Sequence, residues 1–509
     1  MSGPPFPVRE PAPAPGAVPA NGAVPAPEAG PAGDGPAGPG LRAARFLRDR
    51  CVRGFRPSWT AAATVLAVCV PPGPADFGAD FHITAGDVAG TLLVALAGLL
   101  VVAGRCTLPR GTALLFGPLT VALGLTTLCS QDIAASLPGF VRNAQIFVLV
   151  PVAVVAVVRD RRDVQVVCGA VLAAGLIESG YGLWQALTGT GASFEGRPVR
   201  AVGTFGAIDV MAMSTVAGYA MVIAVAFALV ARGRARLAAV AAAAVPAAGL
   251  AAGLSRGSWV AVGIALLVMA LLFDRMTALR TAACAAALTV ALVGGLGWGS
   301  HTVADRTRSI AASVHAPDQS VGDRYSLWET AIAMWRDHPL TGVGVKNFAG
   351  FRDGYAPLQL SSGSETADNV NGYVRQPLLS PHNQYLLILS EQGILGLAAF
   401  CVLPAAVLYG LWRRRAVRDP LWLLGVGFMT WMVVDFLYSD LGGPSSVLAS
   451  VMLGLACSRA LPGPGRGTGV RPVPRRPVYV LPKPRRPVYV LPKPRRAAGD
   501  AGRGADDQR

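Results

Sequence analysis

The chain has 509 residues, of which 52% are apolar and only 15% charged, and its mean hydropathy is +0.47. A soluble globular chain is about one-quarter charged. These values exclude a water-soluble enzyme and a disordered scaffold. The apolar residues fall in long blocks, so the fold class is an all-α, polytopic membrane protein. The net charge of +16 is carried mostly by the ends. Residues 1–57 hold 7 basic and 4 acidic side chains, and residues 459–509 hold 13 and 3. Charge placed in tails beside a membrane does not describe a nucleic-acid partner.

In chain order, residues 1–57 are a Pro/Ala/Gly-rich and then Arg-rich segment, expected to be disordered and cytoplasmic. No apolar run lies in the first 50 residues, so no cleavable signal peptide is expected. A helix needs about 20 apolar residues to cross the hydrocarbon core. Twelve stretches are predicted to do so, near 58–72, 86–104, 111–129, 139–158, 164–187, 209–231, 237–253, 258–273, 281–299, 384–411, 420–438 and 444–459. Spans one to nine occupy 58–299 and spans ten to twelve 384–459. Arg159, Arg161, Arg162, Arg232, Arg234, Arg236, Arg413, Arg414 and Arg415 then share one side with the N-terminal arginines. The positive-inside bias makes that side cytoplasmic, with both termini there, in the cytoplasmic (inner) membrane. The eight cysteines lie in or beside spans and read as packing residues. The basic, Pro-rich tail 460–509 repeats RRPVYVLPKP at 475–484 and 485–494, and is suited to rest on anionic lipid headgroups.

One loop differs from the others. Residues 300–383 carry 7 basic and 8 acidic side chains and fall on the outer side. Loops this long are functional or disordered in compact proteins. Within it, 324–335 places Tyr325, Leu327, Trp328, Ile332 and Trp335 at helical spacing. The segment HPLTGVGVKNF (338–348) is a Pro/Gly turn, and SPHNQYLLILSEQGILGLAAF (380–400) enters span ten.

Arginine on the outer side runs against the charge bias. Arg256, in the tight connection SRGSW (255–259), and Arg324 are candidates to hold a diphosphate, because a guanidinium offers paired donors to phosphate oxygens. Snorkelling of Arg256, or pairing of Arg324 with Asp323 or Glu329, are the plain alternatives. Arg142, inside span four, is a charge without an evident reason. His382 immediately precedes an apolar span. A helix N-terminus opposes a positive charge, so its imidazole should be neutral and able to take a proton. Asn383, Arg200 and Glu391 are supporting candidates. Glu178, Glu391 and Asp435 lie within spans, where an acid has either a buried partner or a role in a pathway. No residue spacing points to a metal, and no cofactor is expected.

Arg324 and Trp328, then Pro339, Leu340, Gly342 and Gly344, then His382, Asn383, Tyr385, Leu386, Glu391, Gly393, Gly396 and Leu397 follow one another in an order that resembles the O-antigen ligase and polymerase superfamily of membrane glycosyltransferases. SRGSW and AVGTFG (201–206) add to the resemblance, although Ala207, Ile208 and Asp209 stand where that family has Pro-Asn. The resemblance implies a GT-C-like, metal-independent transferase acting on an undecaprenyl-diphosphate-linked glycan donor at the outer face. It implies His382 as the catalytic residue, and Arg256 and Arg324 as donor-binding residues. The acceptor would be a glycan, lipid or protein. The alternative class is a polytopic transporter, for which Glu178 and Asp435 would be the polar groups at depth.

Overall fold

A computed structural model describes residues 56–71, 83–194, 197–280, 283, 319–361, 363–368, 372–376, 378–443 and 445–462. The ninth expected span, the first part of the outer loop, both termini and the tandem repeat lie outside the described residues. From Pro57 on, the described chain forms one compact unit.

The fold is an all-α polytopic bundle. Among the described residues, seven helices are long and apolar enough to cross a membrane: α2 (Ala85–Val102), Ile133–Val157, α6 (Arg161–Thr188), α7 (Ala212–Val230), α8 (Arg234–Ala252), α9 (Arg256–Phe273) and α12 (Gln384–Arg413). Four shorter apolar helices accompany them: α1 (Ser58–Ala67), α3 (Thr112–Leu128), α13 (Pro420–Asp435) and α14 (Ser446–Ala460). Lipid offers no partners to backbone amides, so apolar blocks of this length satisfy them internally as helices. Several spans start where a side chain caps them. Thr84 with Asp87 and Asp160 with Asp163 form capping boxes, and Ser255, Asn383 and Asp419 cap α9, α12 and α13.

Two departures from the expected spans have local causes. Span four begins at Ile133, six residues early, because Asp132 caps it. It consists of α4 (Ile133–Ala144), a π-turn at Gln145–Leu149 and α5 (Val150–Val157). Span eight begins at Arg256, which places that arginine in the first turn of α9 and not in a free loop.

The core runs through α7, α13 and α14, whose largest buried side chains include Tyr219, Trp422, Phe428 and Trp431. Close crossings rest on small residues: a Cβ at Gly175 would overlap Ala220, and one at Gly454 would overlap Val154.

The polar loop adds α10 (Gln319–Asp337) and α11 (Phe348–Tyr355). Leu327, Ala331 and Met334 of α10 pack with Val343, Phe348 and Leu378 into a second, smaller core. Of the five residues expected on the apolar face of this helix, only Leu327 is fully buried, while Tyr325 is 47% exposed. A feature not expected from sequence is a four-stranded antiparallel sheet in order β2-β1-β3-β4. It joins β1 (Ala192–Phe194) and β2 (Arg197–Arg200), which follow α6, to β3 (Ser364–Asp368) and β4 (Gly372–Gln376) of the polar loop.

Candidate functional site

Four predicted elements meet at the short connection between α13 and α14. Its first turn is closed by Asp435, whose carbonyl accepts from Tyr438 N (2.8 Å) and Ser439 N (2.9 Å). The Ser439 hydroxyl donates to the Asp435 carboxylate. The start of α12 is stitched to this connection. Gln384 N donates to Phe436 O (2.9 Å), Gln384 Oε1 accepts from Leu441 N (2.8 Å), and Asn383 Nδ2 donates to Leu437 O (3.2 Å). From α10, Arg324 Nη1 donates to Tyr438 O (3.2 Å), and Trp328 Nε1 donates to Pro381 O (2.9 Å) beside His382. From α9, Gly257 is packed so closely that a Cβ there would lie 3.2 Å from Tyr438 Cβ. Arg256, Arg324 and His382 therefore sit around one turn of chain, although they are up to 126 residues apart in sequence.

His382 is held in an unusual backbone conformation, with φ of 48°. A non-glycine residue at positive φ is uncommon, and such strain concentrates at functional sites. Asn383 follows as the cap of α12, its Oδ1 accepting from Tyr385 N (3.0 Å) and Leu386 N (3.1 Å). The same arrangement occurs at α9, where Leu254 (φ 50°) precedes the capping Ser255. Two helix N-termini, each an electropositive end, thus open toward the Leu437–Tyr438 turn.

The electrostatics at His382 favour the neutral ring. Burial lowers its pKa from the usual 6.5; the Asp440 charge opposes this and the Arg324 charge adds to it. Burial, and not the helix N-terminus expected from sequence, is the first cause. Asp440 was not singled out from sequence. Its Oδ2 is shielded from solvent and lacks a hydrogen-bond partner among the described residues. Nothing in SDLGG marks it, because its relation to His382 is made by folding.

Residues 238–401 match the family described as O-Antigen ligase. That segment is similar to the O-antigen ligase family. It contains most of α8, then α9, α10, the Gly342–Gly344 turn and the first part of α12, and so includes Arg256, Arg324 and His382 together. Comparison with curated proteins gave no match. The domain and the apolar helices support a multi-pass membrane protein of the glycan ligase or polymerase kind, working in polysaccharide biosynthesis.

The supporting candidates of the ligase domain and its surroundings have structural tasks. Arg200 Nη2 donates to Gly253 O (3.0 Å), and Ala201 N to Ala252 O (3.1 Å). Both bonds fasten β2 to the α8–α9 turn that presents Arg256. Glu391 Oε1 accepts from Phe348 N (3.2 Å) at the start of α11, and its backbone carbonyl accepts from Gly344 N (2.8 Å). The carboxylate thus secures the Pro/Gly turn. Asp323, an expected rival partner of Arg324, accepts from Ser361 N (3.0 Å) and Ser361 Oγ (2.6 Å).

The remaining buried charges also find partners. Glu178 accepts from Thr204 N (2.9 Å) and Thr204 Oγ1 (2.8 Å), and Gln185 Oε1 accepts from Gly203 N (2.9 Å), so AVGTFG is held from α6. Arg142 pairs with Asp87, and its Nη2 reaches Gly443 O (3.5 Å). Asp209, at the position where the family has Pro-Asn, lies against Gly443 and accepts from Ser445 Oγ (3.4 Å). Burial pushes its carboxyl up to about 6; amides of Met211 and Ala212 and the Ser445 hydroxyl oppose this, while Asp440 adds to it.

Proposed function

We propose that the protein is a metal-independent glycosyltransferase that moves a glycan from an undecaprenyl-diphosphate-type carrier to an acceptor at the outer face of the cytoplasmic membrane. The observation that carries this reading is the meeting of Arg256, Arg324 and His382 around the Leu437–Tyr438 turn at one end of the bundle. The opposite end carries Arg159, Arg161, Arg162, Arg232, Arg234, Arg236 and Arg413 to Arg415. The positive-inside bias therefore supports an outward-facing site, with both termini cytoplasmic.

Arg256 and Arg324, together with the N-termini of α9 and α12, suit a diphosphate. His382 takes the proton from an acceptor hydroxyl as its oxygen attacks the anomeric carbon. The bond from that carbon to the phosphate oxygen breaks, and its electron pair leaves with the lipid diphosphate. Attack opposite the leaving group inverts the anomeric configuration. The arginines stabilise the charge that builds on the diphosphate, and Asp440 stabilises the imidazolium. Glu178 and Asp435, the groups a transporter would need at depth, are engaged with loops.

The test compares surface and lipid-linked polysaccharide in the native host carrying wild-type protein or His382→Ala. Lost surface polymer with carrier-linked precursor accumulating, at equal protein level, is expected. Single units on the carrier identify a polymerase, and full-length chains identify a ligase. An unchanged profile overturns the reading.

A further inference from the structure

At the end of the bundle opposite His382, α9, α12 and α13 leave an apolar groove of about 380 Å³. Val268 and Leu272, Tyr409 and Trp412, and Trp422 and Val426 line it. From Thr430 to Trp422 it follows α13 for ~12 Å. Tyr409 and Trp412 are 61% and 62% exposed, as aromatic residues at a membrane interface commonly are. Each carries a guanidinium. Arg413 stands 5.9 Å from the Tyr409 ring centroid and its Nη1 donates to the Tyr409 hydroxyl (3.2 Å), while Arg415 stands 5.5 Å from the Trp412 ring.

The charge around this mouth is one-sided. Asp419 is taken by Arg459 at 2.8 Å, and Arg459 also fixes the turn through Arg414 O (3.0 Å). Among the described residues no carboxylate lies within ion-pairing distance of Arg413, Arg415 or Arg418. Complementing the α12 C-terminus would account for about half a charge, well short of three guanidiniums. The Tyr409 and Trp412 rings hold two of them at the lip of an apolar channel. The arrangement offers a phosphate above and room for a hydrocarbon chain below.

We propose that this groove binds one anionic phospholipid, with an acyl chain along α9 and α13 and its phosphate between Arg413 and Arg415. The site is separate from the transfer site and does not depend on the function proposed above. It gives the protein a fixed lipid at the end where α12 turns into α13.

The experiment is native mass spectrometry of the full chain, released from nanodiscs holding equal phosphatidylglycerol and phosphatidylcholine. Wild-type protein should retain one phosphatidylglycerol, with a preference of roughly thirtyfold from two guanidiniums near the surface. Arg413→Gln/Arg415→Gln should bring the preference close to parity, and Val268→Trp should lower retention of both lipids. Arg232→Gln/Arg234→Gln, at exposed arginines elsewhere, should change neither. Absence of a preference in wild type, its persistence in Arg413→Gln/Arg415→Gln, or an equal loss in the Arg232/Arg234 variant overturns the proposal. So does displacement of the lipid by inorganic phosphate, which would make this a site for the free ion.

Discussion

Gly342 and Gly393 pack backbone against backbone. A Cβ on Gly342 would overlap the carbonyl carbon of Glu391 and the amide of Gln392, and a Cβ on Gly393 would overlap the carbonyl of Leu340. Gly393 interrupts α12 with φ of 63° and ψ of −166°, and Gly342 has φ of 67°. The freed amides of Ile394 and Leu395 donate to Pro339 O (2.9 Å) and Leu340 O (3.2 Å). The Pro/Gly turn of the polar loop is thereby keyed into a broken membrane helix, and this fixes α10 and Arg324 relative to His382.

Gly393→Ala and Gly342→Ala should each destabilise the protein severely. Left-handed backbone alone costs a non-glycine residue about 1–3 kcal/mol, and the backbone overlap adds to it. Thermal denaturation of the purified variants, with their yield, checks this. A melting temperature equal to wild type would show that the two backbones can separate.

Activity should fall as pH drops through the His382 pKa, which lies below 6.5 because burial favours the neutral ring. Arg324 lowers that pKa and Asp440 raises it. Arg324→Gln should therefore move the acid limb of kcat/KM to higher pH, and Asp440→Asn should move it to lower pH. His382→Ala should lose roughly 10²–10⁴-fold in rate, with no acid limb left. Shifts of the opposite sign would mean that another group carries the limb.

Glu391→Gln keeps an acceptor for Phe348 N and should retain most activity and stability. Glu391→Ala removes it and leaves a buried amide unpaired, at about 1–3 kcal/mol. Equal losses of activity in both variants, with unchanged melting, would instead make Glu391 a participant in the chemistry.

Arg142→Gln should leave the Asp87 carboxylate uncompensated and cost about 3–5 kcal/mol. Asp87→Asn/Arg142→Gln, which removes both charges, should recover much of that. A double-mutant cycle on thermal unfolding reads the coupling. Additive losses would show that the pair contributes through its separate contacts, such as the bond to Gly443 O.

The sequence by itself determined the membrane class, because a block of apolar residues needs no tertiary contact to prefer lipid. The eleven expected spans on described residues each contain an apolar helix, seven of them long enough to cross a membrane, and the motif order brought His382, Arg256 and Arg324 forward as candidates. The tertiary structure alone decided what the charges do. Arg142 meets Asp87 across 55 residues and Glu178 meets Thr204 across 26, and composition carries no record of such distances. The same holds for Asp440, whose charge acts on His382 only because α13 delivers its connection to the mouth of α12. The sheet shared by the α6–α7 connection and the polar loop was equally hidden. Short strands of three to five residues gain their pairing from a partner distant in sequence, and their local pattern is too brief to announce it.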